Sequence, residues 1–359
     1  MRVAVLGGAG FVGSSVSVHL AGLGHDVLAV DSLVRPGSEH NLPRLAESGV
    51  AVHRGDVRCQ EDWVAIRSFK PLAVLDFAAQ PSAVAGYGNP RLDFASNTFA
   101  VLHALELCRE TGAAFLLAST NKVYGRSAVE RAVGPLERLK DRWHAFRPVS
   151  ESCPLDGGDR SLYGASKVMA DLMTQEWADA FGFPAVVNRF SCLAGPWQWG
   201  KADQGWVAWW VIAHRLGLPL QYIGHDGLQV RDVLAASDLC RLIELQLADL
   251  RPGPEVFNVG GGQDHSMSLR ECTDLCRGIT GIEIQIGLAD EPRRADFPWY
   301  VSDTEKVRSR YGWAPTLDSD PLNLIASIDS WACYHLDLIG RLNGRVPVGW
   351  YTVTSEAAG

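Results

Sequence analysis

Two spacings in this 359-residue chain are able to do chemistry. In SLYGASK, Tyr163 and Lys167 stand four residues apart, which on a helix puts a phenol and an ammonium on one face. The ammonium favours the phenolate, so Tyr163 is a candidate general base near neutral pH, and Lys167 can also hold a ribose. In GGAGFVG, Gly7, Gly10 and Gly13 form GxxGxxG directly after the apolar run RVAVL. Such a loop turns tightly and lets a pyrophosphate rest on the N-terminus of the helix that follows. Gly7, Gly10, Phe11, Val12 and Gly13 are the candidate contacts. Asp31 ends the next apolar run, DVLAVD, where a carboxylate accepts both adenosine ribose hydroxyls and repels a 2′-phosphate. This favours NAD over NADP. Asp56, followed by Val57, ends a third run, within reach of an adenine amino group.

A further stretch, LLASTNKVYG over residues 116 to 125, reads as a buried strand that ends in polar side chains. Thr120 is followed there by Asn121 and Lys122, a neutral residue and a cation.

These residues need a scaffold that brings them to one edge. Apolar runs at 2–6, 26–31, 51–56, 72–79, 113–120, 183–191 and 255–261 alternate with helical patterns, which predicts a doubly wound, mostly parallel α/β sheet of about seven strands. Connections of this kind are right-handed. Residues 1 to 191 are expected to form a Rossmann-type NAD-binding domain, with the run near 255–261 returning to it. Residues 192–254 and 262–345, richer in Trp, Pro and Gly, are expected to build a smaller mixed substrate-binding lobe, followed by a tail over 346–359. Residues 126 to 158 interrupt the rhythm as a long polar insertion. Five tryptophans between Trp197 and Trp210 read mainly as core of the lobe.

Hydrophobic residues make up 47 % of the chain and the formal net charge is -8. A packed core is therefore expected, and a nucleic-acid partner is not, since phosphate neutralisation needs a basic face. Eight scattered cysteines form no CxxC pair, and no His or Cys cluster has metal spacing, so no metal is expected. Reduced cysteines and the lack of a membrane-spanning run give a cytoplasmic expectation with no membrane partner.

Taken together, the glycine loop, Asp31, the strand end at Thr120 and the Tyr163/Lys167 pair resemble the extended short-chain dehydrogenase/reductases, the nucleotide-sugar epimerases and dehydratases. The resemblance implies Thr120, Tyr163 and Lys167 as catalytic residues. It places Ala78, Ala79 and Gln80 beside the nicotinamide ribose and Asn97 beneath the active site. It gives Arg231 the substrate diphosphate and Arg293 and Asp296 the nucleotide end. Dehydratases of the family that make 4-keto-6-deoxy sugars carry Asp-Glu after the threonine, whereas Asn121 and Lys122 cannot remove water. STNKVYG, the DQGWV segment near Gln204 and GLQVRDVL are similar to the CDP-paratose (CDP-tyvelose) 2-epimerases. Leu228 stands where those enzymes often carry Lys, and Cys192 where they carry a small polar residue.

That resemblance implies inversion of C2 of a CDP-sugar by transient oxidation and hydride return with NAD. Gln80, Asn121, Lys122, Cys192, Gln204, Arg231, Arg293 and Asp296 are then the substrate-side candidates. Lys122 can equally be a strand-end charge facing solvent. The alternatives are a UDP-sugar 4-epimerase or a related nucleotide-sugar epimerase of specialised metabolism using the same catalytic residues, and a non-catalytic NAD-binding sensor. A homodimer is expected through helices near 98–111 and 163–181, with Val101, Leu102, Leu105, Met169, Leu172 and Met173 as candidate contacts.

Overall fold

The computed structural model describes residues 1–344 apart from Ala83, Asp203 and Asp290. The expected tail over 346–359 lies outside the described residues.

The seven apolar runs form one parallel sheet. Its strands are β1 (Arg2–Leu6), β2 (Asp26–Asp31), β3 (Ala51–Arg54), β4 (Ala73–Asp76), β5 (Ala114–Thr120), β6 (Pro184–Phe190) and β7 (Gly253–Val259). The order across the sheet is β7-β6-β5-β4-β1-β2-β3. The chain winds outward from β1 in one direction and then, from β4 onward, in the other, so the crevice at the strand ends opens between β1 and β4. Helices cover both faces, which is why the strands read as unbroken apolar runs. On one face, α1 (Phe11–Gly22) packs beside α5 (Ala236–Ala248). On the other, α2 (Ala100–Thr111) and α3 (Leu162–Phe181) bury Val101, Leu105, Ala170 and Ala178 against Phe115 and Val187. A short helix, Pro90–Phe94, and a wide turn, Ala95–Phe99, lead into α2.

The second lobe is smaller and mixed. Its strand Val230–Ala235 pairs antiparallel with Ser266–Ser268 and parallel with Trp299–Tyr300 and Cys192–Ala194. Its apolar core forms where α4 (Trp206–Leu216) meets α6 (Leu269–Thr280) and α8 (Pro321–Tyr334). Trp199 and Trp210 are buried there, and Trp197, Trp206 and Trp209 pack at its margin.

Two boundaries move relative to the sequence expectation. Residues 236–248, expected in the lobe, pack on the sheet through Leu239, Leu242, Ile243 and Leu247. Val307, on α7 (Glu305–Tyr311), and Trp313 join them. The amphipathic period of α5 shows that one face is buried, and only the fold decides against which core. The insertion at 126–158 carries elements of its own: a helix, Arg126–Val133, is followed by a hairpin of Glu137–Leu139 and Arg142–His144. Trp143 donates its backbone N–H to Leu228, and Val149 bridges to Ser302, so the insertion is stitched onto the lobe.

Candidate active site

The glycine loop leaves β1 with Gly7 at φ +69°, and a side chain there would collide with the backbone of Phe77 and Ala78. A Cβ on Gly13 would stand 2.1 Å from the Gly7 carbonyl oxygen. The helix therefore lies flat on the loop, closer than any other residue allows. Gly10, at the start of α1, offers no side chain to the first helical N–H groups, so they remain available to an anion. Phe11 is half-buried against Gly195, and Val12 packs on the core. Asp31 accepts the Ala9 N–H at 3.0 Å and the Leu33 N–H at 2.8 Å. Each oxygen keeps a free lone pair, so the carboxylate is both aimed and able to take ribose hydroxyls. These features fit NAD.

Asp56 departs from the expectation. Both its oxygens take Arg58 Nε, at 2.9 and 3.0 Å, and Arg58 Nη2 adds a 2.5 Å bond. The guanidinium holds this carboxyl below its ordinary range, so Asp56 is an ion-paired wall residue and not an open acceptor for adenine. The Val57 carbonyl accepts Trp63 Nε1 at 2.9 Å.

At the other end of the crevice, β5 stops at Thr120, and the next three residues form a tight turn. Thr120 Oγ1 accepts the Lys122 N–H at 3.2 Å. Ser161 caps α3 by accepting the Gly164 N–H at 3.0 Å. Gly164 is the contact point, since a Cβ there would lie 2.4 Å from the Lys122 carbonyl oxygen. Its missing side chain lets the helix start press on the strand end, and Tyr163 meets the Thr120 hydroxyl there. One turn on, Lys167 is buried between the charges of Asp76 and Asp171.

The electrostatics differ from the expectation drawn from spacing. Burial pushes the Tyr163 phenol up to about 12, its hydrogen bond with Thr120 pulls it down, and the charge of Asp93 raises it. Burial lowers the proton affinity of Lys167, and the charges of Asp76 and Asp171 oppose that. Desolvation of an uncompensated phenolate outweighs one hydrogen bond, so without a further positive charge the phenol keeps its proton.

Gln80 and Asn97 meet, but as a scaffold. Asn97 Oδ1 accepts the Gln80 N–H at 2.9 Å, and Asn97 Nδ2 donates to the Gln80 carbonyl at 3.1 Å and to Ser166 Oγ at 3.0 Å. Gln80 Oε1 accepts the Ser82 N–H, and its Nε2 donates to Asp93. Ala78 donates its N–H to Asp76, and Ala79 is exposed at the crevice.

On the lobe side the cations converge. Lys122 Nζ lies 3.0 Å from Asp296 Oδ1, and Arg231 Nη2 lies 2.7 Å from the same oxygen. Lys122 also stands 4.2 Å over the Phe297 ring. Lys122 is therefore no solvent-facing strand end. Asp296, expected only at the nucleotide end, ties β5 to the lobe, and the two cations hold its carboxyl far below the ordinary range. Cys192 feels both cations and accepts a hydrogen bond from Trp206 Nε1 at 3.3 Å. Gln204 Oε1 is buried without a hydrogen-bond partner among the described residues. Asn121 is buried beside Thr120. Arg293 is exposed and reaches the Ala202 carbonyl at 3.3 Å. Leu228 is buried, so its side chain brings no charge to this cluster.

Three residues escaped the sequence reading. Asp171 continues the Tyr163–Lys167 stripe by one more helical turn, and that spacing was the available signal. It is fully buried, pairs with Arg189 through 2.9 and 3.0 Å contacts and accepts Ser119 Oγ at 2.7 Å. Asp76, at the end of β4, is pushed up to about 6 by burial, with Lys167 opposing. Among the described residues there is no group of three or more metal-ligating side chains and no helix long and apolar enough to cross a membrane.

Comparison with known proteins agrees with this geometry. A sequence profile described as the NAD dependent epimerase/dehydratase family matches residues 3–260. A CDP-paratose 2-epimerase of Salmonella typhi is 31 % identical over 89 % of this chain and 96 % of its own. A UDP-glucose 4-epimerase of Corynebacterium glutamicum is 28 % identical over 92 % of this chain and 95 % of its own. Among solved structures, the UDP-glucose 4-epimerase of Thermus thermophilus in complex with NAD superposes with a TM-score of 0.74. It is 28 % identical and covers 92 % of this chain and 99 % of its own.

Proposed function

The chain belongs to the NAD dependent epimerase/dehydratase family and is an NAD-dependent enzyme, and from that premise we propose that it inverts C2 of a CDP-sugar of the paratose/tyvelose type. One observation carries the reading: the residues after Thr120 are a buried amide and a lysine locked to Asp296. Neither is an acid and base poised to remove water, which leaves Tyr163 and Thr120 as the proton-transfer pair at the strand end. Such a site suits loss and return of hydrogen at one carbon better than dehydration. The 31 % identity to a CDP-paratose 2-epimerase supports the choice of carbon and nucleotide.

In this mechanism the sugar lies between Tyr163 and the lobe. Bound NAD supplies a hydride acceptor that can give the hydride back. Tyr163 takes the proton of the sugar hydroxyl and returns it, with Thr120 holding the phenol oxygen. Lys167 orients a ribose and balances charge in the buried crevice. Arg231 and Lys122 meet the diphosphate by exchanging their contact with Asp296. Gln204, Asn121 and Cys192 face the sugar, and Arg293 covers the nucleotide end.

A UDP-sugar 4-epimerase is the second reading, favoured by the 28 % identity to two UDP-glucose 4-epimerases. The test is proton NMR in deuterated water with CDP-paratose. The expected outcome is conversion to the C2 epimer with no deuterium at C2. Conversion of UDP-glucose at C4, with CDP-paratose untouched, would transfer the assignment to the second reading.

A further inference from the structure

Trp199, one of the clustered tryptophans, makes a polar contact outside its own lobe. It lies in the loop after the strand Cys192–Ala194, is buried, and packs edge-on against Trp331 of α8 with ring centres 5.0 Å apart. Its Nε1 donates to Asn41 Oδ1 at 3.1 Å. Asn41 is 0 % exposed, and its Nδ2 donates to the Ala9 carbonyl at 2.9 Å. An indole N–H only donates and a carbonyl only accepts, so one orientation of the amide serves both. The sheet domain receives this loop along residues 37–44. Gly37, at φ +101°, comes so close that a Cβ there would stand 2.8 Å from Trp199 Cβ. The His40 ring lies 5.2 Å from that of Trp199, and Arg44 stands 4.7 Å over the ring of Trp197.

Ala9 sits inside the glycine loop and is itself fully buried. Its N–H goes to Asp31 Oδ2 at 3.0 Å, and the next N–H, of Gly10, goes to the Gly7 carbonyl at 3.0 Å. Asn41 supplies the third fixed point, the Ala9 oxygen. The Ala9–Gly10 peptide is planar, so holding its oxygen and its N–H sets where α1 begins. The first N–H groups of α1 are the ones an anion uses. A buried carbonyl stripped of its partner is costly, and turning it towards another donor turns the loop with it.

We propose that Asn41, oriented by Trp199, is a positioning residue for NAD: the lobe holds the glycine loop in place through this indole–amide–carbonyl relay. Both residues act through the Ala9 backbone. The loop that carries Trp199 also carries Gln204, so one segment of the lobe serves the cofactor at one end and the sugar side at the other. The inference rests on the NAD dependence of the family and is independent of which sugar carbon is inverted.

The test reads NAD release from the holoenzyme with no sugar present. Freed NAD is trapped by alcohol dehydrogenase with ethanol, and its reduction is followed by absorbance. Trp199→Phe keeps an aromatic ring in the core and removes the N–H, and Asn41→Leu removes both bonds at similar size. Each is expected to speed release about 3- to 30-fold, the range for losing a hydrogen bond to a buried partner. Trp331→Phe trims the same aromatic cluster without touching the relay. It is expected to lower the thermal midpoint yet leave release close to the wild-type rate. Equal acceleration by Trp331→Phe would reduce the effect to general softening of the lobe and overturn the proposal. Unchanged release in Trp199→Phe would overturn it as well, whatever the stability of that variant. If Asn41→Leu does not fold, Trp199→Phe against Trp331→Phe decides alone.

Discussion

Removing the Tyr163 hydroxyl is the plainest test at the scale of a single residue. Tyr163→Phe is expected to lower kcat by about 10²- to 10⁴-fold while bound NAD remains, as read by its absorbance after gel filtration. Loss of the cofactor together with activity would mean that the hydroxyl holds NAD and does not move a proton. Asp76 makes a prediction about pH. Its carboxyl is at 3.8 when free and about 6 when folded, so the folded state binds the proton more tightly than the unfolded chain. Its contribution is favourable below pH 4 and is lost as the pH rises through 6. Asp76→Asn removes that dependence. Relative to wild type, the variant should gain about 3 kcal/mol between pH 4 and pH 8 in urea unfolding. An unchanged difference would show that Lys167 neutralises Asp76 fully.

Among the elements, α3 is held by one fully buried ion pair. Asp171 and Arg189 are 0 % and 4 % exposed, and Asp171 also receives Ser119, the residue before Thr120. The pair locks α3 to β5 and β6 and so fixes the distance between Tyr163 and Thr120. Breaking a buried pair leaves an uncompensated charge, so Asp171→Asn should destabilise the protein by about 3–5 kcal/mol in a denaturant titration. A cost under about 1 kcal/mol would make the contact incidental. The Tyr163–Lys167 stripe was legible because helical spacing alone puts both on one face, and Asp171 lies on the same stripe. Its partner Arg189 was not legible. Nothing in FPAVVNRFS indicates that one inward-facing strand residue meets a helix 18 positions earlier.

For the whole molecule, the open matter is association. Val101 and Leu105, expected at a subunit contact, are fully buried in the chain's own core. Met169 and Leu172 are 40 % and 44 % exposed, and Phe94 and Phe99 add exposed rings nearby in sequence to α2. Such apolar surface on α3 and on the segment leading into α2 fits a homodimer. Sedimentation at micromolar concentration is expected to give a dimer, and Leu172→Glu a monomer that keeps its cofactor. A wild-type monomer would remove the proposal.

The layered α/β sheet, the glycine loop, Asp31 and the Tyr163/Lys167 pair can be read from the order of residues. Each is a local pattern: apolar runs buried on both faces, a turn that only glycine can make, a fixed helical period. What those side chains feel depends on the folded chain. Arg58 occupies Asp56, Asp296 gathers Lys122 and Arg231 onto one oxygen, and Lys167 is buried between the charges of Asp76 and Asp171. The physical reason is range. Backbone preference and hydrophobic period act over a few residues, whereas charge and burial depend on whichever segments meet, here as far apart as residues 122 and 296.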